Sequence, residues 1–335
     1  MIASVTSLLG AIRALSVLPQ VRAIYNTGPS MFVTASPEAQ RLATLGWIMI
    51  AVGTIVFVVV MALLLVPLWR RRGTVTDEGP PEPVNERAWV LYGGAAIPGL
   101  ILAGIFVLTL GTMRASLSAG PAPLTIEVIG HQWWWEVRYP EQGIQTADEI
   151  HMPVGRQVKI VLKSADVIHS FWVPNLAGKT DVIPGNTNSM WLQADREGIW
   201  RGQCAEYCGM QHAHMALSVV AEAPGQFARW VTDQRSVAQQ PSDSATLTGE
   251  RVFLGSPCVF CHQVRGTQAG GQVGPDLTHF GSRLTIASGT LPNTRGNLAG
   301  WIENPDRIKP GTKMPAIPLD GPQLQAVVAY IEGLK

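Results

Sequence analysis

The residue types best suited to chemistry in this chain lie in one short stretch near position 210. Cys204 and Cys208 stand four residues apart, His212 follows after four more residues, and Met215 after a further three. An earlier histidine, His169, lies in the stretch Asp-Val-Ile-His-Ser-Phe-Trp-Val-Pro. Thiolate, imidazole and thioether are soft donors, which favour copper over magnesium or calcium. The set therefore predicts a copper site with ligands from two separate loops.

The presence of two cysteines leaves several interpretations open. A mononuclear blue copper site uses one cysteine. Two thiolates can instead bridge two copper ions, and the two ions then share one electron. A Cys204–Cys208 disulfide is one alternative, because an extracytoplasmic domain permits disulfides. A zinc site is another, although zinc prefers Cys and His ligands without the thioether that Met215 offers.

A second group of residues predicts a covalently bound haem. Cys258-Val-Phe-Cys261-His262 has the spacing of c-type haem attachment, in which two thiols bond the haem and the histidine is an axial iron ligand. The other axial ligand must come from downstream, and Met314 is the only methionine after His262. His279 is the competing candidate. Met/His ligation raises the haem potential, which suits an electron donor to copper, so Met314 is the preferred prediction.

These ligands need folded elements to position them. β-Branched or alternating runs at 125–129, 157–162 and 190–193, bounded by turn residues, predict the short strands of an all-β sandwich or barrel. Helical stretches are predicted at 225–235 and, from apolar residues at helical spacing, at 323–334. The sequence thus indicates a β-domain around the copper set, followed by a helical domain around the haem motif.

Two uncharged apolar stretches precede the soluble part of the chain. They cover 42–69 and 88–113, and each exceeds the roughly 20 residues that cross a bilayer as a helix. We expect Pro98 to kink the second stretch. Four arginines between positions 70 and 87 predict a cytoplasmic loop there, so that everything after Met113 is extracytoplasmic.

Composition excludes several functional classes. The 335 residues carry 25 Lys and Arg against 24 Asp and Glu, a net charge of +1, which excludes a basic nucleic-acid binder and an acidic disordered protein. Four cysteines are too few for a disulfide scaffold. Outside the two spans, charged residues still amount to only about 17%, against about 25% in an average soluble protein. Such a surface is typical of a subunit that lies against partners.

Together the motifs resemble those of cytochrome c oxidase subunit II. The resemblance rests on Gly130-His-Gln-Trp-Trp-Trp-Glu, on His169-Ser-Phe-Trp-Val-Pro and on Cys204-Ala-Glu-Tyr-Cys-Gly-x-x-His-x-x-Met, and it covers residues 40 to about 235. It implies a cupredoxin barrel with a dinuclear CuA centre, bridged by two thiolates and completed by four other donors. In this sequence the implied ligands are Cys204, Cys208, His169, His212, Met215 and the backbone carbonyl of Glu206.

The same resemblance assigns two further roles. It makes the Glu206 side chain a provisional ligand of a magnesium ion shared with subunit I. It also makes Trp133 the exposed point at which electrons arrive from cytochrome c, while Trp134 and Trp135 are expected to pack conventionally. Many family members have Ser where this chain has Ala205, a position that donates no ligand.

Residues 246–335 resemble class I cytochrome c, and a subunit II that carries its own cytochrome c resembles that of the bacterial caa3-type oxidases. The predicted fold is a multidomain membrane protein: a two-helix transmembrane hairpin, an all-β cupredoxin barrel and an all-α cytochrome c domain. The predicted segments are an extracytoplasmic extension (1–41, with a possible weak signal in 1–24), the hairpin (42–113, with its cytoplasmic loop at 70–87), the cupredoxin domain (114–238), a polar Pro/Ser linker (239–245) and the cytochrome c domain (246–335).

The resemblance implies the electron-input subunit of a haem–copper oxidase in the bacterial inner membrane, with both soluble domains on the extracytoplasmic side. Electrons would pass from haem c to CuA and on to the haem of subunit I, where oxygen becomes water and protons are translocated. The implied partners are subunits I and III and an upstream cytochrome c or cytochrome bc complex. The alternatives are a copper-free quinol oxidase subunit, which the intact copper ligands argue against, a CuA-type nitric oxide reductase subunit, and a membrane-anchored carrier outside an oxidase.

The remaining charged and imidazole side chains are expected to have supporting roles. His131, His151 and His214 are interpreted as structural groups. Basic residues near Met314, among them Lys309, are expected to be solvated, where they would be available to an external carrier. The linker would hold the haem domain near the copper domain at an effective concentration in the millimolar range.

Overall fold

The computed structural model describes residues 25, 28–70, 85–117 and 124–335. The possible signal in residues 1–24 and most of the loop predicted at 70–87 lie outside the described residues. The chain divides into two units, one formed by residues 40–118 and the other by residues 1–39 together with 119–335.

The smaller unit is helical. Helix α1 spans Pro37–Arg70, and a second helical stretch runs through a turn at Glu86–Ala88, a π-helical segment at Trp89–Ala96 and helix α2 at Ile97–Leu117. Two helices in this part of the chain, of 33 and 31 residues, are long and apolar enough to cross a membrane. The sequence predicts a kink at Pro98; the π-helical segment Trp89–Ala96 ends two residues before that proline, where the wider turns of a π-helix precede the loss of one backbone donor.

The first half of the larger unit is a β-sandwich of ten strands. Alternation of buried and exposed side chains, as in Thr125–His131, gives each strand one face for the core and one for the surface. One sheet has the order β3-β2-β1-β5-β8 and the other β4-β10-β9-β6-β7. The strands are β1 (Thr125–His131), β2 (Trp134–Tyr139), β3 (Ile144–Ala147), β4 (Glu149–Pro153), β5 (Val158–Ser164), β6 (His169–Trp172), β7 (Thr180–Val182), β8 (Asn188–Leu192), β9 (Gly198–Cys204) and β10 (Ala216–Glu222).

The sandwich core lies between the two sheets and contains large fully buried side chains, among them Trp135, Trp200 and Tyr139. Strands β1 and β5 pair in parallel, as do β4 and β10, while the other strand pairs are antiparallel. This two-sheet arrangement is cupredoxin-like and confirms the predicted β-domain. Strands β1, β5 and β8 correspond to the three strands predicted from the sequence.

The second half of the larger unit is mainly helical, and it confirms the predicted cytochrome c-like fold. Its helices are α3 (Pro224–Arg235), α4 (Ser244–Leu254), α5 (Cys258–Cys261), α6 (Arg295–Glu303), α7 (Pro305–Ile308) and α8 (Gly321–Gly333), with a two-stranded hairpin of β11 (Thr285–Ile286) and β12 (Leu291–Pro292) between α5 and α6. Capping boxes at Asp243 and Asp320 begin α4 and α8.

Helices α4 and α8 cross at very close range. A Cβ placed on Gly249 of α4 would lie 2.0 Å from the Ala326 carbonyl oxygen of α8. The absence of a side chain at Gly249 is therefore what lets the two backbones meet. This crossing closes the apolar core behind the haem-attachment motif, where Phe253 and Val328 are buried.

Candidate metal and haem centres

The sulfur and imidazole groups predicted to bind copper converge in the sandwich. Potential ligand atoms of His169, Cys204 and Cys208 all lie within 4.8 Å of one another, and all three residues are buried. Both cysteines are free thiols, with sulfurs 3.8 Å apart, well beyond the roughly 2.05 Å of a disulfide bond. The structure therefore forms the converging thiol pair and not the disulfide alternative.

The remaining predicted copper donors surround the same pair of sulfurs. His212 Nδ1 lies 3.7 Å and Met215 Sδ 3.8 Å from the Cys208 sulfur. The Glu206 carbonyl oxygen lies 3.1 Å from the Cys204 sulfur. The structure thus brings two thiols, two imidazoles, a thioether and a carbonyl to one point, which is a donor set suited to copper.

Strand ends position these donors. Cys204 is the last residue of β9 and His169 the first of β6, and the register of this antiparallel pair places Phe171 opposite Cys204. The loop after β9 carries Cys208, and a backbone bond from Cys204 N–H to the Met215 carbonyl, 2.9 Å long, closes that loop just before β10. The segment from Cys204 to Met215 therefore folds back on itself as one loop, which faces His169.

Four neighbours surround the imidazole of His169, which is fully buried. Its Nε2 lies 2.9 Å from Asp166 Oδ1, while its Nδ1 lies 4.0 Å from the Cys204 sulfur. The Trp135 ring packs at a centroid distance of 5.8 Å. On another side, a Cβ at Gly130 would lie 2.7 Å from the His169 ring. The carboxylate thus orients the ring so that Nδ1 faces the sulfurs.

Ionisation of the two thiols is unequal. The hydrogen bond between the two thiols lowers the pKa of Cys204 and raises the pKa of Cys208. One thiolate therefore forms readily next to one protonated thiol. A cation is needed before both sulfurs can be thiolates, because two adjacent negative charges repel each other in a buried site.

Glu206 and Trp133 have different surroundings from the copper donors. The Glu206 carboxylate is exposed and lies 3.5 Å from the Lys179 ammonium, and it is not part of the close ligand group found among the described residues. The half-buried Trp133 donates its indole N–H to the Cys208 carbonyl at 3.0 Å. Trp133 thus contacts the copper loop directly.

The other tryptophans and histidines of this domain are packed as expected. Trp135 is fully buried, and Trp134 stacks on His131 with centroids 4.4 Å apart. The three unassigned histidines have protein partners: His131 pairs with Glu136, His151 with Glu149 and Glu222, and His214 with Gln211.

The haem-attachment residues have a geometry that fits a c-type haem. Cys258 and Cys261 are free and partly exposed, at the two ends of α5. The imidazole of His262 is held through Nδ1, which lies 2.8 Å from the Pro275 carbonyl oxygen, an arrangement that leaves Nε2 as the nitrogen available for the predicted ligation. Burial lowers the pKa of His262, which keeps the ring neutral and able to ligate.

The candidates for the second axial ligand lie in different surroundings. The partly buried Met314 follows α7 in the loop that leads towards α8. His279 is buried, and its Nε2 lies 3.2 Å from the Ser236 carbonyl oxygen, at the end of α3. This contact gives the His279 ring a structural partner, whereas Met314 remains the preferred prediction for the iron.

One expectation is wrong: Lys309 is not solvated. It is only 3% exposed, and its ammonium donates to the Trp133 carbonyl at 2.6 Å. Burial lowers the pKa of Lys309 to about 8, while the attraction of Asp148 opposes that change. The sequence carries no signal for this, because the surface that buries Lys309 belongs to residues 176 positions earlier in the chain.

Comparisons with known proteins agree with both centres. Residues 142–222 match the family described as cytochrome c oxidase subunit II, periplasmic domain, and residues 247–335 match the cytochrome c family. The chain is 35% identical over 306 residues to a cytochrome c oxidase subunit 2 of Alkalihalophilus pseudofirmus, an alignment that covers 89% of each protein. It is 32% identical to the Bacillus subtilis protein of the same name, over 63% of this chain and 62% of that one.

Solved structures give partial alignments. The periplasmic domain of subunit II of cytochrome oxidase from Bradyrhizobium japonicum aligns with 35% of this chain and 97% of its own, at 31% identity and a TM-score of 0.34. A chain of a heme-copper terminal oxidase dimer aligns with 38% of this chain and 99% of its own, at 23% identity and a TM-score of 0.28. Family membership follows from the sequence relatives alone.

Proposed function

The chain belongs to the cytochrome c oxidase subunit II family, and from that premise we propose that it is the electron-input subunit of a haem–copper terminal oxidase. The observation that carries the proposal is the presence of two redox ligand sets in one folded unit. The copper donors converge on Cys204 and Cys208, and the haem motif presents His262 with its Nδ1 already bonded. The enzyme in this sense is the assembled cytochrome c oxidase, since the oxygen-reducing centre is assigned to subunit I.

A dinuclear copper centre would be held by the thiolates of Cys204 and Cys208, by the imidazoles of His169 and His212, and by the Met215 thioether and the Glu206 carbonyl. Such a centre would supply one-electron redox chemistry. The converging distances around the two sulfurs support this assignment. Burial of His169 and Met215 excludes water from the ligands and holds them in place, which keeps reorganisation on electron transfer small.

A c-type haem would be held covalently by Cys258 and Cys261, and its iron would be ligated by His262 and Met314. The Pro275 carbonyl fixes the His262 tautomer. A Cβ at Gly274 would lie 2.8 Å from the His262 ring, so the lack of a side chain there leaves room for the imidazole.

With both groups bound, the subunit would take single electrons from an upstream cytochrome c or cytochrome bc complex and pass them to the haem of subunit I, where oxygen would be reduced to water and protons translocated. The protein's contribution is to hold the ligands rigidly and to bring the two sites together. Trp133 is the electron-input residue of the copper site, and its hydrogen bond to the Cys208 carbonyl supports that role.

The two apolar helices anchor the subunit in the bacterial inner membrane. The four arginines between positions 70 and 87 support a cytoplasmic loop there, and hence extracytoplasmic soluble domains beside subunits I and III. The exposed Glu206 carboxylate is open to another subunit, and we assign to it a magnesium ion shared with subunit I.

Cys208→Ser in the assembled complex tests the copper assignment. Replacing a soft bridging sulfur by a hard hydroxyl oxygen should abolish the two-copper centre, while the c-type haem spectrum stays intact. Metal analysis and electron paramagnetic resonance should show two coppers sharing one unpaired electron in the unsubstituted protein. Cys261→Ser is the matched control, since it should impair covalent haem attachment and leave copper in place.

Two results would contradict the proposal: full copper content and an unaltered copper spectrum in Cys208→Ser, or absence of both centres from the unsubstituted complex. Reduction of oxygen by the complex, in preference to nitric oxide, separates the proposed oxidase from a nitric oxide reductase. Co-purification with a large haem-bearing membrane subunit separates it from an anchored carrier outside an oxidase.

A further inference from the structure

The haem domain inserts a tight turn into the copper domain. Ala287, Ser288 and Gly289, between β11 and β12, all have positive φ angles, which turn the chain back sharply. Ser288 is 2% exposed, and its carbonyl accepts the Ala216 N–H at 3.0 Å. Its hydroxyl lies 3.0 Å from Asp148 Oδ1 and donates to the Ala216 carbonyl at 2.9 Å. The turn is thus bonded to the start of β10, directly after the copper donor Met215.

Charged groups reinforce this contact from both sides. On the copper domain, Arg201 donates to the Gly289 carbonyl at 3.0 Å, and Glu149 Oε2 accepts the Leu284 N–H at 3.0 Å. On the haem domain, burial lowers the pKa of Arg283, although attraction to Asp276, Asp148 and Glu149 opposes the change. Buried polar groups that satisfy each other across two domains specify one relative orientation.

The loop before Met314 makes a second set of contacts, with the copper loops themselves. Lys309 donates to the carbonyls of Trp133 and Ala287 at 2.6 and 3.3 Å. The Pro310 carbonyl accepts from the Gln211 amide at 2.6 Å, one residue before the copper donor His212. A Cβ at Gly311 would lie 3.1 Å from the Met210 sulfur and 4.0 Å from the Trp133 indole.

The last residue before Met314 extends this contact to the other copper loop. The Lys313 ammonium lies 3.5 Å from Asp166 Oδ2, and the other oxygen of the same carboxylate bonds to His169. Segment 309–313, which leads directly to the proposed axial methionine, therefore reaches both loops that carry copper donors. Within this segment, Lys309 bonds to the Trp133 carbonyl and Gly311 lies next to the Trp133 indole.

From these contacts we infer that the haem domain is docked on Trp133 in one fixed orientation through segment 309–313, and that Lys309 is the positioning residue for electron transfer to the copper site. The inference rests on the proposed function and deepens it. Trp133 then receives electrons from this chain's own haem domain, and an external carrier must deliver them to the haem. The linker then joins two domains that are already docked. Its role is not to raise the effective concentration of a mobile haem domain near the copper domain.

Lys309→Met in the assembled complex tests this inference, because it removes the ammonium but keeps a long apolar side chain. Arg307→Met is the matched control: Arg307 is exposed, lies two residues earlier and carries the same charge. Hydrogen exchange followed by mass spectrometry reports on docking through the cross-domain amides of Ala216 and Leu284. Removing one partner of a buried hydrogen-bonded charge should lower their protection on the order of tenfold or more, and Arg307→Met should leave it unchanged.

Electron transfer from haem c to copper is measured on the same variants after rapid reduction of the haem. We expect transfer to slow on the order of tenfold in Lys309→Met, while the spectra and reduction potentials of both centres stay unchanged, as a positioning role requires. Unchanged exchange in Lys309→Met would overturn the docking. If hydrogen exchange became faster while the rate of electron transfer stayed unchanged, the positioning role would be overturned and the proposed function would stand. Loss of the copper or haem signals from the unsubstituted complex would instead refute the proposed function itself.

Discussion

Adding a methyl group at Gly130 should damage the copper site although no ligand is replaced. Gly130 is a buried residue of β1, paired with Trp135 on one side and with Ser164 on the other. A Cβ there would lie 2.7 Å from Cδ2 and 3.1 Å from Cγ of His169. The ring cannot retreat freely, because Asp166 holds its Nε2 at 2.9 Å and Trp135 packs against it.

The size of the effect follows from this crowding. Ordinary contacts begin near 3.4 Å, so the ring must shift by roughly 0.7 Å, and overpacking of this kind costs about 1–3 kcal/mol. The displaced His169 ring ligates copper less favourably by about this free energy. Copper binding should therefore weaken roughly 5- to 150-fold, since each 1.4 kcal/mol corresponds to about a factor of ten. The expected result for Gly130→Ala is a weaker copper site with an altered spectrum.

Copper titration and electron paramagnetic resonance of the full chain in its complex measure this change. Gly296→Ala is the control, because a Cβ at Gly296 meets nothing within 4 Å; its copper binding should be native. The reasoning would be refuted if Gly130→Ala folded normally and bound copper with native affinity and spectrum.

Three further outcomes follow from the structure. Asp166→Asn should weaken copper binding roughly 10- to 100-fold, because His169 loses its orienting carboxylate; equal affinity in a metal titration would contradict this. Gly249→Ala should lower the free energy of unfolding of the haem domain by about 1–2 kcal/mol, since the clash with the Ala326 carbonyl exceeds the helical gain of about 1 kcal/mol from alanine; a denaturant midpoint at or above the native one would count against it. Burial alone would lower the pKa of His151, but hydrogen bonds to Glu149 and Glu222 outweigh it and raise the pKa. The stabilisation from His151 is therefore complete below about pH 6.5 and is lost as the pH rises through the raised pKa of the folded state. Chemical unfolding at a series of pH values should show this loss in the unsubstituted protein and not in His151→Gln.

The extent of sequence-based prediction differs between the elements and the site. Helix α3 and the strands β1, β5 and β8 lie where the local pattern placed them, because alternation and helical spacing are properties of short segments. The sulfur and imidazole groups after β9 converge as their short spacing predicts, and the two cysteines of the haem motif lie together on α5. The predicted domain limits and ligand roles remain predictions.

What the sequence could not show is which distant residues support those ligands. In the sequence Asp166 is only a near neighbour of His169 and Gly130 only part of a motif, yet both define the space of the imidazole. Neither role can be read locally, because Gly130 reaches His169 only once β1 and β6 face each other in the sandwich.

The sequence by itself determined the chemistry of this protein: soft donors at copper spacing, a haem-attachment motif and two apolar spans. The tertiary structure decided how the two centres meet. Lys309 illustrates the difference, since a lysine beside a polar loop is ordinarily solvated. Its burial depends on the Trp133 carbonyl, 176 residues away in the chain, because the burial of a charged group is a property of the surface that folding brings against it.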